Sequence, residues 1–175
     1  MSDYTPKKAE YKGVKMKSNL EARFAIAFDR MGIKWEYEPT TFWGEEYQGG
    51  RYTPDFYLPD FDVYVEVAGV WDERHKHNTE ALAKKLDKYI YDKDGGFVRC
   101  VPRVLRYNSK GEACDSNGNC CETCGVEITR CTECGKLQII DTCLSWECTH
   151  CGAYDGDRLI HFINNPFDFV NGYLS

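Results

Sequence analysis

Between residues 18 and 107 the apolar positions follow two rhythms, one helical and one alternating. Leu20, Phe24, Phe28 and Met31 recur at helical spacing, which predicts a helix from Ser18 to Gly32. Ser18 suits the N-cap, Glu21 three residues later completes a capping-box pattern, and Gly32 can end the helix. Ile33 to Tyr37 then alternates like a strand, and the glycines and charges from Pro39 to Arg51 read as a loop. Tyr52 to Leu58 is a second strand, closed by the turn signal Pro59-Asp60. Asp62 to Val70 is the clearest strand: Val63, Val65 and Val67 share one face, and Tyr64, Glu66 and Ala68 share the other. A second helix is predicted from Asp72 to about Lys93, with Leu82, Leu86, Tyr89 and Ile90 inward and Gly95-Gly96 as its stop. Phe97 to Tyr107 forms the last strand. The order α-β-β-β-α-β predicts an α/β fold, with a mixed sheet against which the first helix packs.

The pattern changes near Asn108. From there to Ala153 the chain is rich in Cys, Gly, Thr and Glu, and apolar burial alone does not offset the entropy of ordering such a segment. This divides the chain into a core, residues 1–110 with a basic N-terminal arm, and a Cys-rich module, residues 111–175. The module's aromatic stretch, Leu159 to Phe169, is expected to return to the core.

Of the 10 cysteines, nine lie beyond Cys100, and Cys121-Glu-Thr-Cys-Gly, Cys131-Thr-Glu-Cys-Gly and Cys148-Thr-His-Cys-Gly are copies of one motif. Clustering of this kind in a chain that shows no leader favours metal-bound thiolates over disulfides. Cys131, Cys134, Cys148 and Cys151, with 13 residues between the two pairs, suit one tetrahedral zinc. The arrangement is similar to a zinc ribbon, with a hairpin expected from Lys136 through Trp146. Cys114, Cys120, Cys121 and Cys124 permit a second zinc, with Cys143 or Cys100 as substitutes because adjacent cysteines crowd a single ion. Free thiols beside one zinc are the alternative.

Charge then separates the two parts. Residues 111–175 carry 10 Asp/Glu against 3 Lys/Arg, whereas residues 1–35 carry 8 Lys/Arg against 4 Asp/Glu. A surface for nucleic-acid phosphates therefore belongs to the first part. The acidic module better suits a structural clamp, a dimer contact or a protein partner. No apolar run approaches the roughly 18 residues that span a bilayer. The Lys-rich start lacks the apolar core of a secretory leader, so the expected address is the cytoplasm.

Three acids stand out: Glu21 on the apolar helix face, Asp55 after Pro54 in a strand, and Glu66 amid valines. Buried carboxylates are costly unless paired, neutralised or metal-bound, and two of them converging on a hard cation is the geometry of Mg²⁺-assisted phosphodiester hydrolysis. The bland readings are a capping residue, a turn residue and an edge-strand residue, respectively.

In order, Ser18-Asn-Leu-Glu21, Trp35-Glu-Tyr-Glu-Pro39, Tyr52-Thr-Pro-Asp-Phe-Tyr-Leu-Pro59 and Val65-Glu-Val-Ala-Gly69 resemble the PD-(D/E)xK nuclease superfamily, particularly small phage- and transposon-type endonucleases. The resemblance covers roughly residues 15–107. It implies a restriction-endonuclease-like αβββαβ core that cuts DNA with Mg²⁺ or Mn²⁺, and often a homodimer. Asp55 and Glu66 would bind the metal with the Val67 carbonyl, and Glu21 would complete the shell. The motif's lysine is replaced by Ala68, so the chain as written is expected to be inactive. A deliberate inactivating substitution is the favoured explanation. The others are a lysine that migrated to the next helix, with Lys85 ahead of Lys76, and a non-catalytic module that binds nucleic acid or protein. His75, His77, Arg99, Arg103, Arg106, Trp43 and Trp71 are secondary candidates for contacts with phosphates or bases, each with an ordinary solvated or core alternative.

Overall fold

A computed structural model of the chain describes residues 8–114, 126–131, 133–141, 147–148 and 150–153. The described residues begin with a hairpin of β1 (Ala9–Tyr11) and β2 (Val14–Met16), and residues 1–7 of the basic N-terminal arm lie outside them. The hairpin's two-residue turn uses positive φ at Lys12 and Gly13, the geometry that matches the twist of paired strands. Helix α1 (Asn19–Met31) follows, with Ser18 as N-cap accepting from the Glu21 N–H and Gly32 closing it at φ 71°. Both caps agree with the sequence reading.

The central sheet contains β3 (Glu36–Tyr37), β6 (Phe56–Leu58), β7 (Val63–Ala68) and β10 (Val104–Asn108), in the order β10-β7-β6-β3. It is mixed: β10 runs parallel to β7, while the β7–β6 and β6–β3 pairs are antiparallel. Val63, Val65 and Val67 join Phe24, Phe28, Phe56 and Tyr107 in one core, so α1 covers that face of the sheet. Ring centroids of Phe24–Tyr107 and Phe28–Phe56 lie 5.5 and 5.3 Å apart, within the range of favourable aromatic pairs. The Tyr64 side of β7 meets a second cluster, built on Tyr47, Tyr52, Leu82 and Val104, beneath helix α2 (Glu73–Leu86).

Three predicted elements are divided. The strand expected over Tyr52–Leu58 is split: β5 (Arg51–Tyr52) pairs with β4 (Phe42–Trp43) in a separate hairpin, and Phe56 starts β6. Helix α2 stops at Asp87 rather than near Lys93, because Tyr89, Ile90 and Tyr91 favour a strand. That segment is β8 (Lys88–Tyr91), which pairs with β9 (Phe97–Val101). Asp92 caps the connecting turn through Oδ1, and Gly95-Gly96 belongs to this turn rather than to a helix end. Pro102, lacking an N–H, separates β9 from β10.

Beyond Asn108 the chain stays attached to the core. Strands β11 (Val126–Arg130) and β12 (Leu137–Asp141) form a hairpin whose Ile128 is fully buried in the main cluster. The Ile128 N–H donates to the Tyr107 hydroxyl at 3.2 Å. This hairpin brackets the Cys131–Cys134 pair; of the hairpin expected from Lys136 through Trp146, residues 137–141 form β12, and residues 142–146 lie outside the described residues. The stretch from Leu159 to Phe169 lies outside the described residues.

Candidate active site and metal centre

Glu21 from α1, Asp55 from the turn before β6 and Glu66 from β7 meet in one cleft of about 680 Å³. All three are buried, with 6%, 7% and 5% of their surface exposed. Glu21 sits in the first turn of α1, where the helix start leaves N–H groups unpaired and favours an acid. Its Oε2 accepts from the Lys17 N–H at 3.0 Å and the Tyr37 hydroxyl at 2.6 Å, and its Oε1 accepts from the Ser18 hydroxyl at 2.8 Å. Glu21 is therefore a capping residue and also a wall of the cleft.

Asp55 lies just before β6, and its Oδ2 accepts from the Val67 N–H at 2.9 Å, which ties it to the strand that carries Glu66. Glu66 accepts from the buried Tyr52 hydroxyl at 2.6 Å. Burial raises the Asp55 carboxyl well above its usual range, and the charges of Glu66 and Glu21 raise it further. Burial likewise pushes Glu66 up to about 7, against the stabilising hydrogen bond from Tyr52 and the nearby His75. Acids crowded in this way repel one another when ionised, and a divalent cation with oxygen ligands relieves that cost. Val67 lines the cleft beside them.

The other expected residues scatter. Ala68 ends β7, only 4% exposed, opposite Asn108 of β10. Lys85 pairs with Glu46 at 3.3 Å and lies outside the cleft, and Lys76 pairs with Glu73. Arg103 is bound to Asp62, and Arg106 donates to the Thr79 hydroxyl at 2.9 Å, so neither lines the cleft. The side chain of Arg99 lies outside the described ones. Trp71 packs edge-on against His75, while Trp43 stands 67% exposed with Arg51 over its ring.

Several further residues line the cleft, and Lys17, Arg51 and Arg74 among them had no distinct sequence signal. Lys17, Arg51, Tyr52, Arg74 and His75 all line it. Of the two readings of His75, phosphate contact or solvated helix residue, its place in the cleft favours the first: its ring Nδ1 lies 2.7 Å from Asp72 and its Nε2 lies 3.8 Å from Glu66. His77 instead contacts the Glu46 carbonyl at 2.8 Å. The usable signal was position: Lys17 directly precedes the N-cap of α1, and Arg74 and His75 open α2 just after the Glu66 strand.

Two phage endonucleases are similar in sequence. Endonuclease I of Escherichia phage T7 is 39% identical over 67 residues, 35% of this chain and 42% of that protein. Endodeoxyribonuclease 1 of Enterobacteria phage T3 is 35% identical over 71 residues, 37% of this chain and 44% of that protein. The chain thus spans less than half the length of these curated relatives. No family model matches the chain. No solved structure matches it either.

The second centre is built from sulfur. Cys131, Cys134, Cys148 and Cys151 place their sulfurs within 4.8 Å of one another, a group that can hold a metal ion. The Cys131–Cys151 and Cys134–Cys148 sulfurs are 3.8 and 3.7 Å apart. A tetrahedron with metal–sulfur bonds of about 2.3 Å has edges of about 3.8 Å, so these two separations match those of a zinc tetrahedron. Each pair is wound the same way: Gly135 donates to the Cys131 carbonyl, Gly152 donates to the Cys148 carbonyl, and both glycines have φ near 72°. Burial opposes a Cys148 thiolate, but N–H groups of His150 and Cys151 and the Gln138 amide outweigh it and draw the thiol down to about 6.

Cys114 is buried and disulfide-bonded. A disulfide sulfur is no thiolate donor, so in this state Cys114 does not serve the second zinc. Cys120, Cys121, Cys124 and Cys143, and the Cys100 side chain, lie outside the described residues.

Proposed function

We propose that this chain is a divalent-metal-dependent endonuclease on a PD-(D/E)xK-type core, hydrolysing DNA phosphodiester bonds. The observation that carries the reading is the burial of Glu21, Asp55 and Glu66 side by side in one open cleft. The partial likeness to two phage DNA endonucleases supports the same reaction and the same polymer.

Asp55 and Glu66 would hold Mg²⁺ or Mn²⁺, with Glu21 and the Val67 backbone completing the shell. Their donor set is all oxygen, as hard cations require, and their mutual repulsion makes the cation stabilising. When bound, such an ion polarises the phosphoryl oxygen and activates water for in-line attack. The protein's own groups keep the ligands rigid: Tyr52 fixes Glu66, the Val67 N–H fixes Asp55, and Ser18, Lys17 and Tyr37 fix Glu21. Ala68 brings no charge to the scissile phosphate, so a cation must come from another part of the cleft. The four-cysteine centre would bind structural zinc and pin the end of the β11–β12 hairpin.

The test is incubation of the purified chain and its Ala68→Lys variant with supercoiled and linear DNA, in Mg²⁺ or Mn²⁺. Nicking or cutting is expected, with loss in Asp55→Ala. Ala68 also favours a second reading, a non-catalytic nucleic-acid-binding module. Binding without cleavage by both the chain and Ala68→Lys would establish that reading and end the first.

A further inference from the structure

Position 68 on β7 carries no charge, and the cleft beside that strand contains one lysine. Among the described residues lining it, Lys17 is the only lysine; the other cations are Arg51, Arg74 and His75. Arg51 lies over the Trp43 ring at 5.6 Å, which draws it towards the β4–β5 hairpin. His75 is held by Asp72 on the α2 side. Lys17 lines the cleft from the segment just before α1. Its backbone N–H donates to Glu21 Oε2 at 3.0 Å, so residue 17 is built into the carboxylate cluster.

The Lys17 ammonium pairs with Glu38, itself a cleft residue held at φ 44° and hydrogen-bonded through its N–H to the Asp55 carbonyl. The side chain is 64% exposed and therefore reachable by a backbone phosphate. Exposed ion pairs of this kind are weak and readily exchanged. Lys17 also acts on the acids electrostatically: its charge opposes the upward shifts of both Asp55 and Glu66.

We infer that Lys17 is the catalytic lysine of this cleft, taking over from the α1 wall the role that Ala68 leaves vacant on β7. This rests on the endonuclease reading above. In the reaction, water oxygen bonds to phosphorus and one ester P–O bond breaks, its electron pair leaving with the departing nucleotide oxygen. The proton lost by water reaches that oxygen through solvent. Lys17 stays protonated throughout. It exchanges Glu38 for a non-bridging oxygen of the scissile phosphate and stabilises the charge that grows there. The chain as written is then active, contrary to the expectation from Ala68 alone.

The experiment compares turnover and DNA binding for the chain, Lys17→Met, Lys17→Arg, Lys15→Met and the double variant Lys17→Met/Ala68→Lys. Binding is read by fluorescence anisotropy on the same DNA without divalent ions, and folding by circular dichroism. Lys17→Met should lower kcat by about a hundredfold or more while binding weakens by less than about tenfold. Lys17→Arg should recover most of the rate. Lys15→Met, an equal charge loss on the neighbouring hairpin, should stay within about threefold. The double variant should regain activity, because the lysine returns to the strand. Three outcomes overturn the inference and leave the endonuclease reading intact: normal turnover in Lys17→Met, equal losses of binding and kcat, or an inert parent chain whose Ala68→Lys variant cuts. If neither the parent nor Ala68→Lys cuts, the endonuclease reading fails and this inference fails with it.

Discussion

Glu66→Gln should make the metal-free protein more stable, although it removes a proposed metal ligand. Glu66 is 5% exposed, and burial lifts its carboxyl from 4.5 to about 7. A raised carboxyl favours the folded state only while protonated: that contribution is full below the unfolded value and is lost as pH rises through about 7. At 1.36 kcal/mol for each pKa unit, the ionised form therefore costs roughly 3 kcal/mol at about pH 8. Glutamine has the same shape and no charge, and its carbonyl can still accept from the Tyr52 hydroxyl, now at 2.6 Å from Glu66. In buffer free of Mg²⁺ and Mn²⁺ but with zinc retained, urea unfolding should show Glu66→Gln more stable by about 1–3 kcal/mol at about pH 8. Near pH 5 the gap should close, because Glu66 is then neutral in the fold. Millimolar Mg²⁺ should stabilise the parent chain and leave the variant almost unchanged, by simple binding linkage. A variant less stable than the parent at about pH 8, or a gap that does not change with pH, would refute the claim that Glu66 carries an uncompensated buried charge.

Tyr52→Phe should remove the hydroxyl that steadies the Glu66 carboxylate, costing about 1.5–3 kcal/mol at about pH 8 and moving the pH midpoint of Mg²⁺ binding upward; calorimetry at several pH values measures both. Cys134→Ser should lower bound zinc from about one equivalent to near zero by elemental analysis, and hydrogen exchange should quicken in β11 and β12 while α1 stays protected. Phe28→Ala should cost about 3–5 kcal/mol in denaturant unfolding, since the α1 ring is fully buried against Phe24 and Phe56. Gly32→Ala should cost about 1 kcal/mol, because the helix cap needs φ 71° and not because space is short, as nothing lies within 4 Å of the added carbon.

Local chemistry made much of this chain legible. The caps of α1 at Ser18 and Gly32 depend on contacts within a few residues, and both were readable. The alternation of Val63, Val65 and Val67 marked β7 because one face had to enter the core. Glu66 was visible as an acid out of place in that strand, and the paired cysteines of the metal centre announced themselves by spacing. The failures occurred where distant partners decide. Leu82 to Ile90 suits a helix by periodicity, yet pairing with β9 makes Lys88–Tyr91 a strand. Tyr52 and Phe56 looked like one strand but belong to different sheets, because β4 captures the first and β7 the second.

Sequence alone therefore determined which residues stand out as candidates: three acids, one strand position without its lysine, and two Cys-x-x-Cys-Gly pairs. Tertiary structure decided which cations reach those acids. The sequence singled out Lys85 rather than Lys17, but Lys17, just before α1, lines the cleft, whereas Lys85 pairs with Glu46 outside it. Backbone propensities and hydrophobic periods act over a few residues, so they can be read along the chain. The convergence of charges depends on how helices and strands pack across it, and only the folded arrangement contains that information.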